Sequence, residues 1–234
     1  MLEAFYATER GSLEDATING SFDLHPELVW IDLIAPSQEE QQWVFDAYER
    51  NLPTLKSLED ISSSARFYRD DDGILHISTY FLTKNKNYQV DGDTDESSHM
   101  LATVQTVAFI LHKDRLFTMR GEKLVAFRAF RARARRNDYD MDYKDPTWIL
   151  LGLLEAKLDE LADILEDIHK DLERYSTEVL NNHHREKVLD LDDMITRLAQ
   201  QEDMLGKAQL CLIDLRRVLT FLSRPRALGS HIYD

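Results

Sequence analysis

Between Leu151 and Val179 the apolar residues Leu151, Leu154, Leu158, Leu161, Leu165, Ile168, Leu172, Tyr175 and Val179 step by three and four in alternation. A stripe kept up over about four heptads describes a helix that cannot bury itself and needs a partner along its length. A second stripe, over 188–222, supplies one: Met194, Leu198, Leu205, Ala208, Leu212, Leu215, Leu219 and Leu222, interrupted at Gln201. NNHHRE at 181–186 is then the tip of an antiparallel hairpin. Helices of roughly 35 residues reach about 50 Å at 1.5 Å per residue, so the hairpin must protrude from its domain or pack in an oligomer. Asp145-Pro146 marks the start of its first helix, as an N-cap followed by a first-turn proline.

The first half has strand periodicities instead. LEAFYA at 2–7 and VWIDLI at 29–34 read as short strands. Ser37 and Glu40 form a capping box opening a helix SQEEQQWVFDAYER, closed by Leu52-Pro53, and TLKSLEDI gives a second short helix. Asp72-Gly73 joins ARFYRD to ILHISTYFLT as a hairpin, and MLATVQTVAFIL with RLFTMR makes another. The predicted fold is therefore α+β: an α/β/α sandwich with a mixed or antiparallel sheet over 1–122, then a basic helix and the long antiparallel helical hairpin over 123–234, packed on the same domain. KLVAFRAFRARARR at 123–136 holds six Lys/Arg and no acid. A basic helix beside an acidic hairpin neutralises its neighbour, and that reading is preferred to RNA or lipid binding.

Charge narrows the partners. A net charge of −15 repels polyanions, so nucleic acid is excluded as a partner and cations or basic surfaces are favoured. A single cysteine, Cys211, fits a reducing compartment, the N-terminus lacks signal-peptide character, and the apolar run WILLGLL at 148–154 is too short to span a bilayer. No GxSxG, P-loop, GxGxxG or HExxH occurs, so an enzyme is not expected.

Two groups of carboxylates stand out. Asp91, Asp93 and Asp95 alternate in VDGDTDESSHM, but position six of a calcium loop would be Glu96 and position twelve Ala102, which excludes an EF-hand and leaves an acidic connection able to help hold a shared cation. Residues 146–182 carry nine Asp/Glu against three Lys/Arg, among them Asp159, Glu160, Asp163, Glu166, Asp167 and Asp171. Taken alone this is a solvated helix face; with acids from a neighbouring subunit the density invites hydrated Mg²⁺. His183 and His184, adjacent on a helix, point about 100° apart and chelate poorly.

VWIDLIAPSQEE, LEDISSSARFYRDDDGILHI, TVAFILHKDRLFTMR, FRAFRARAR, LLEAKLDELADILEDIHKDLE and CLIDLRRVLTFLSR, in this order and spacing over nearly the whole chain, resemble the cytoplasmic domain of CorA magnesium transporters of the enterobacterial type. The resemblance implies a funnel-shaped homopentamer at the cytoplasmic face of the inner membrane. The same resemblance implies that Mg²⁺ bound between subunits regulates the pore and that Co²⁺ or Ni²⁺ can substitute as transported ions. The chain stops at SRPRALGSHIYD, so the family's stalk, two membrane spans and Gly-Met-Asn signature are expected beyond it, and contact with the membrane only through that missing part. Matching the long helix puts Asp159 and Glu160 where relatives carry an acidic pair facing the regulatory ion. The family's sheet-side ligand falls near Lys84 to Asn87, which has no carboxylate, and Asp91, Asp93 and Asp95 are the substitutes expected from the adjacent loop. The resulting expectation is a Mg²⁺-sensing regulatory domain. A zinc-transporting branch of the same fold and a soluble helical-hairpin adaptor are the alternatives.

Overall fold

The computed structural model describes residues 1–16, 28–49, 52–62, 64–85, 101–137, 141–182 and 191–224. Its frame is a seven-stranded sheet built from β1 (Leu2–Ala7), β2 (Leu13–Ala16), β3 (Leu28–Ile34), β4 (Phe67–Arg69), β5 (Leu75–Asn85), β6 (Leu101–Leu111) and β7 (Leu116–Arg120), in the order β2-β1-β3-β7-β6-β5-β4. Neighbours are antiparallel except β3 and β7, which run parallel with Trp30 opposite Leu116 and Ile34 opposite Arg120. The sheet is thus mixed. β2, LEDA, has too little apolar alternation to stand out in the sequence; it is an edge strand paired to β1 alone among the described strands.

Each face of the sheet carries helices, because β3 is buried on both sides and needs an apolar layer above and below. Ile31, Leu33, Ala108, Ile110, Phe117 and Met119 pack against α1 (Gln38–Tyr48) and α2 (Leu55–Glu59) through Val44 and Leu58. Phe5, Trp30, Phe81 and Phe109 meet α3 (Val125–Arg136) and the base of α4 (Pro146–Asn182) through Phe127, Phe130, Leu150 and Leu153. The one acid in β3, Asp32, is wholly buried and takes a bidentate pair from Arg120 at 2.6 and 3.2 Å and a hydroxyl bond from Thr118 at 2.7 Å.

The capping box forms: Ser37 Oγ accepts from the Glu40 amide at 3.2 Å and Glu40 returns the bond to the Ser37 amide at 2.9 Å. The helix ends earlier than the expected Leu52-Pro53 boundary. Tyr48 is its last residue, and Glu49 turns into the left-handed region at φ 52°, its amide bonding the Phe45 carbonyl. At the base of α4, Asp145 accepts from the Thr147 amide at 2.8 Å, the predicted N-cap contact.

α5 (Leu191–Leu222) returns along α4. The inward face of the pair is rotated from the heptad reading. Leu154, Leu161, Ile168 and Tyr175 are buried as expected, but Leu158 and Leu172 are exposed, and Leu150, Leu153, Ala156 and Ile164 take the core positions. The reason is that the lower half of α4 packs on the sheet and α3 as well as on α5, so its buried face is wider than a two-helix seam. Leu198, Leu205 and Leu219 of α5 likewise face outward. A third apolar cluster joins Leu82 and Ala102, near the far end of β5 and β6, to Leu161, Ile164, Ile168, Ala208 and Cys211. No helix among the described residues is long and apolar enough to cross a membrane.

Candidate functional site

The carboxylates singled out on α4 lie where this helix leaves α3 and approaches the third cluster. Asp159 is more than half exposed and its Oδ2 accepts from Arg133 Nη1 of α3 at 2.8 Å. Glu160, the next residue, is half-buried. Asp91, Asp93 and Asp95 lie outside the described residues. What is described is the pair of strand ends that carry them: the chain leaves the sheet at Asn85, opposite Leu101, and Leu82 and Ala102 there share a cluster with Leu161, the residue after Glu160, and Ile164, one turn beyond it. Among the described residues no three Asp, Glu, His or Cys side chains converge closely enough to hold a metal ion.

Further along α4 the acids are paired locally. Lys170 reaches Glu166 at 2.8 Å, Arg174 reaches Asp171 at 3.0 Å, and Gln201 of α5 also donates to Asp171. Glu166 beside Lys170 raises the lysine pKa. On α5, Arg197 pairs with Asp193, and Lys207 joins Asp203 to the Ala102 carbonyl. Exposed pairs of this kind each stabilise by about 0–1 kcal/mol and weaken with salt, so the helix face keeps a negative field. The basic helix α3 spends its charge mostly elsewhere than on the hairpin: Arg131 pairs with Glu3 and Arg135 with Asp15, and Arg133 alone of these three turns to α4. The expected neutralisation of the hairpin is thus met by one of these pairs, and the other two go to the first two strands.

The structure adds a buried polar group that sequence reasoning missed. Lys157, Asp214 and Arg66 meet against β5, together with Thr79 and Tyr80. Burial pulls the Lys157 pKa down to about 8 against the opposing pull of Asp214, and burial pushes the Cys211 thiol up to about 11. The signal was legible in principle. Lys157 stands seven residues after Leu150 and four before Leu161, and Asp214 stands between Cys211 and Leu215, so each interrupts an apolar face.

Residues 26–231 match the family described as CorA-like Mg²⁺ transporter protein. The chain belongs to that family. Among CorA relatives, the magnesium transport protein of Mannheimia succiniciproducens is 38% identical over 203 residues, covering 87% of this chain and 58% of its own length. That of Escherichia coli K12 is 39% identical over 200 residues, covering 86% and 58%. The chain therefore spans somewhat over half the length of these CorA proteins. The soluble domain of CorA from Methanocaldococcus jannaschii superposes with a TM-score of 0.64 at 16% identity, covering 96% of this chain and 80% of that one; at that identity the likeness shows the fold, a mixed sheet between helices followed by two long packed helices. The CorA-like family is one of transporters and not of enzymes, in line with the lack of a catalytic grouping in the sequence.

Proposed function

We propose that the chain is the Mg²⁺-sensing regulatory domain of a CorA-type magnesium transporter, set at the cytoplasmic face of the inner membrane in a homopentamer. The observation that carries the reading is the junction at Asp159: an exposed carboxylate held by one arginine of α3, followed by a half-buried Glu160, at the start of an acidic helix face in a chain of this family. Oxygen donors on an open surface suit a hard cation that keeps several of its waters. Asp159 and Glu160 of one copy would take Mg²⁺ together with Asp91, Asp93 or Asp95 of a neighbour. Two carboxylates about 5 Å apart repel by about 3 kcal/mol at an effective dielectric near 20, so losing the ion would drive the copies apart. That repulsion is the regulatory signal. The transported ion is Mg²⁺ on this reading, with Co²⁺ and Ni²⁺ as substitutes. The family match and the names carried by the relatives at 38–39% identity favour magnesium over the zinc-type alternative.

Titrating Mg²⁺ while following mass by sedimentation tests the reading. The sensor associates in the millimolar range, and Asp159→Asn/Glu160→Gln or Asp91→Asn/Asp93→Asn/Asp95→Asn weakens the calorimetric binding isotherm at least several-fold. A mass and isotherm indifferent to Mg²⁺ refute the sensor and favour the adaptor. Retained binding in both neutralised sets moves the site elsewhere.

A further inference from the structure

A charged layer divides the packing of α4 and α5 in two. On one side Leu153, Leu154, Leu215 and Val218 belong to the cluster over the middle of the sheet; on the other Leu161, Ile164, Ala208 and Cys211 belong to the cluster near the strand ends. Between them lie Lys157 and Asp214, 1% and 3% exposed, and Arg66, 4% exposed, joins them from the residue before β4. Pairing of β5 with its edge neighbour stops near Ser78, whose amide bonds the Arg66 carbonyl. Beyond that point α5 supplies the acceptor: Asp214 Oδ2 takes the Tyr80 amide at 2.9 Å and the Thr79 hydroxyl, while Oδ1 lies 3.5 Å from Arg66 Nη1. Lys157 Nζ donates to Thr79 Oγ1 at 2.9 Å, lies 3.9 Å from Asp214 and 5.1 Å from the centre of the Phe81 ring.

Two cations sharing one buried carboxylate are a poor source of net stability compared with apolar side chains in the same space. What they supply is position. The buried face of α5 repeats its apolar positions every seven residues, at Ala208, Leu215 and Leu222 and at Cys211 and Val218, so a slide of seven residues, about 10.5 Å along the helix, sets apolar residues in apolar places. Sliding α5 by seven in one direction would bring Lys207 to the place of Asp214, a third cation beside Arg66 and Lys157; in the other it would bring Phe221. Either way the Tyr80 amide loses its acceptor and both cations lose their carboxylate.

We propose that Arg66, Lys157 and Asp214 form a register lock that holds α5 at one axial position on β5 and makes that point the fulcrum of the protruding hairpin. The lock is independent of the magnesium reading and stands or falls without it. Nitroxides at Glu39→Cys on α1 and Glu202→Cys on α5, both exposed positions, report the register by pulsed electron resonance; Cys211, fully buried, is not labelled. The otherwise native protein gives one narrow distance population. The apolar replacement Arg66→Met/Lys157→Met/Asp214→Leu remains folded and gives a second population, or a distribution at least twice as wide. A folded triple variant with the native distribution overturns the lock. Hydrogen exchange on the native protein gives a second test, should the triple variant not fold. The Tyr80 amide is as protected as the β5 amides bonded to β6 if Asp214 holds it; exchange more than 100-fold faster than theirs overturns the proposal.

Discussion

Gly152 is the point on α4 where no side chain fits, since a Cβ there would stand 2.4 Å from Cε2 of the buried Phe130. Alanine is the better helix former by about 1 kcal/mol, yet pushing apart α3 and α4 costs more, so Gly152→Ala should lower the unfolding free energy read from urea curves by a net of about 1–2 kcal/mol. Lys157 gives a pH signature. Its folded pKa near 8 lies below the ordinary 10.5, so the unfolded chain holds the extra proton between these values and stability from this group rises as pH climbs from 8 towards 10.5. Cys211, at about 11 against 9.0, acts in the opposite sense between 9 and 11. Between pH 7.5 and 9 the lysine dominates, with a net gain of about 1 kcal/mol. Lys157→Met should abolish that rise in denaturation curves at the two pH values; an unchanged rise would show that other groups cause it. The reading of Asp159 as a solvent-facing carboxylate was available from the helical period, whereas its arginine partner was not, because no local pattern specifies which residue of α3 meets which residue of α4.

At the level of elements, the parallel β3–β7 pair is the keystone, bringing distant segments together with Asp32 and Arg120 between them. Asp32→Ala would leave a guanidinium buried without its carboxylate, at a cost of about 3–5 kcal/mol, and should yield little soluble protein or a strongly shifted thermal midpoint. Ser37→Ala removes one acceptor at an exposed helix start and should cost about 1 kcal/mol, readable in the same assay. The strands β1, β3 and β5–β7, the capping box and both long helices were legible because each depends on local periodicity or local hydrogen bonding. β2 was not: four residues with two acids form a strand only because β1 offers an edge. The rotated face of α4 was also hidden, since a heptad count knows of one partner helix and this helix has a sheet, α3 and α5. The charged layer was hidden as well: Lys157 and Asp214 interrupt the apolar pattern, but they are buried together only because Arg66 and β5 meet them there, and no local pattern specifies that.

For the whole molecule, apolar packing on the sheet ends near Ile168 and Ala208, and the remaining lengths of α4 and α5 rest on each other with leucines such as Leu180, Leu191 and Leu198 exposed. Helical amides at 171–180 and 191–203 should therefore exchange with solvent through local opening, well before those of β5 and β6; equal protection along the full length would mean that the hairpin unfolds only with the sandwich. The two flanks of the sheet are stubs, β2 of four residues with Glu14 and Asp15 on it and β4 of three with Arg69. Short, charged outer strands are weak templates for a foreign strand, and beyond β4 the edge of β5 is met by α5 at Asp214. Crowding many copies into a small volume should accordingly not seed fibres through the short outer strands of this sheet.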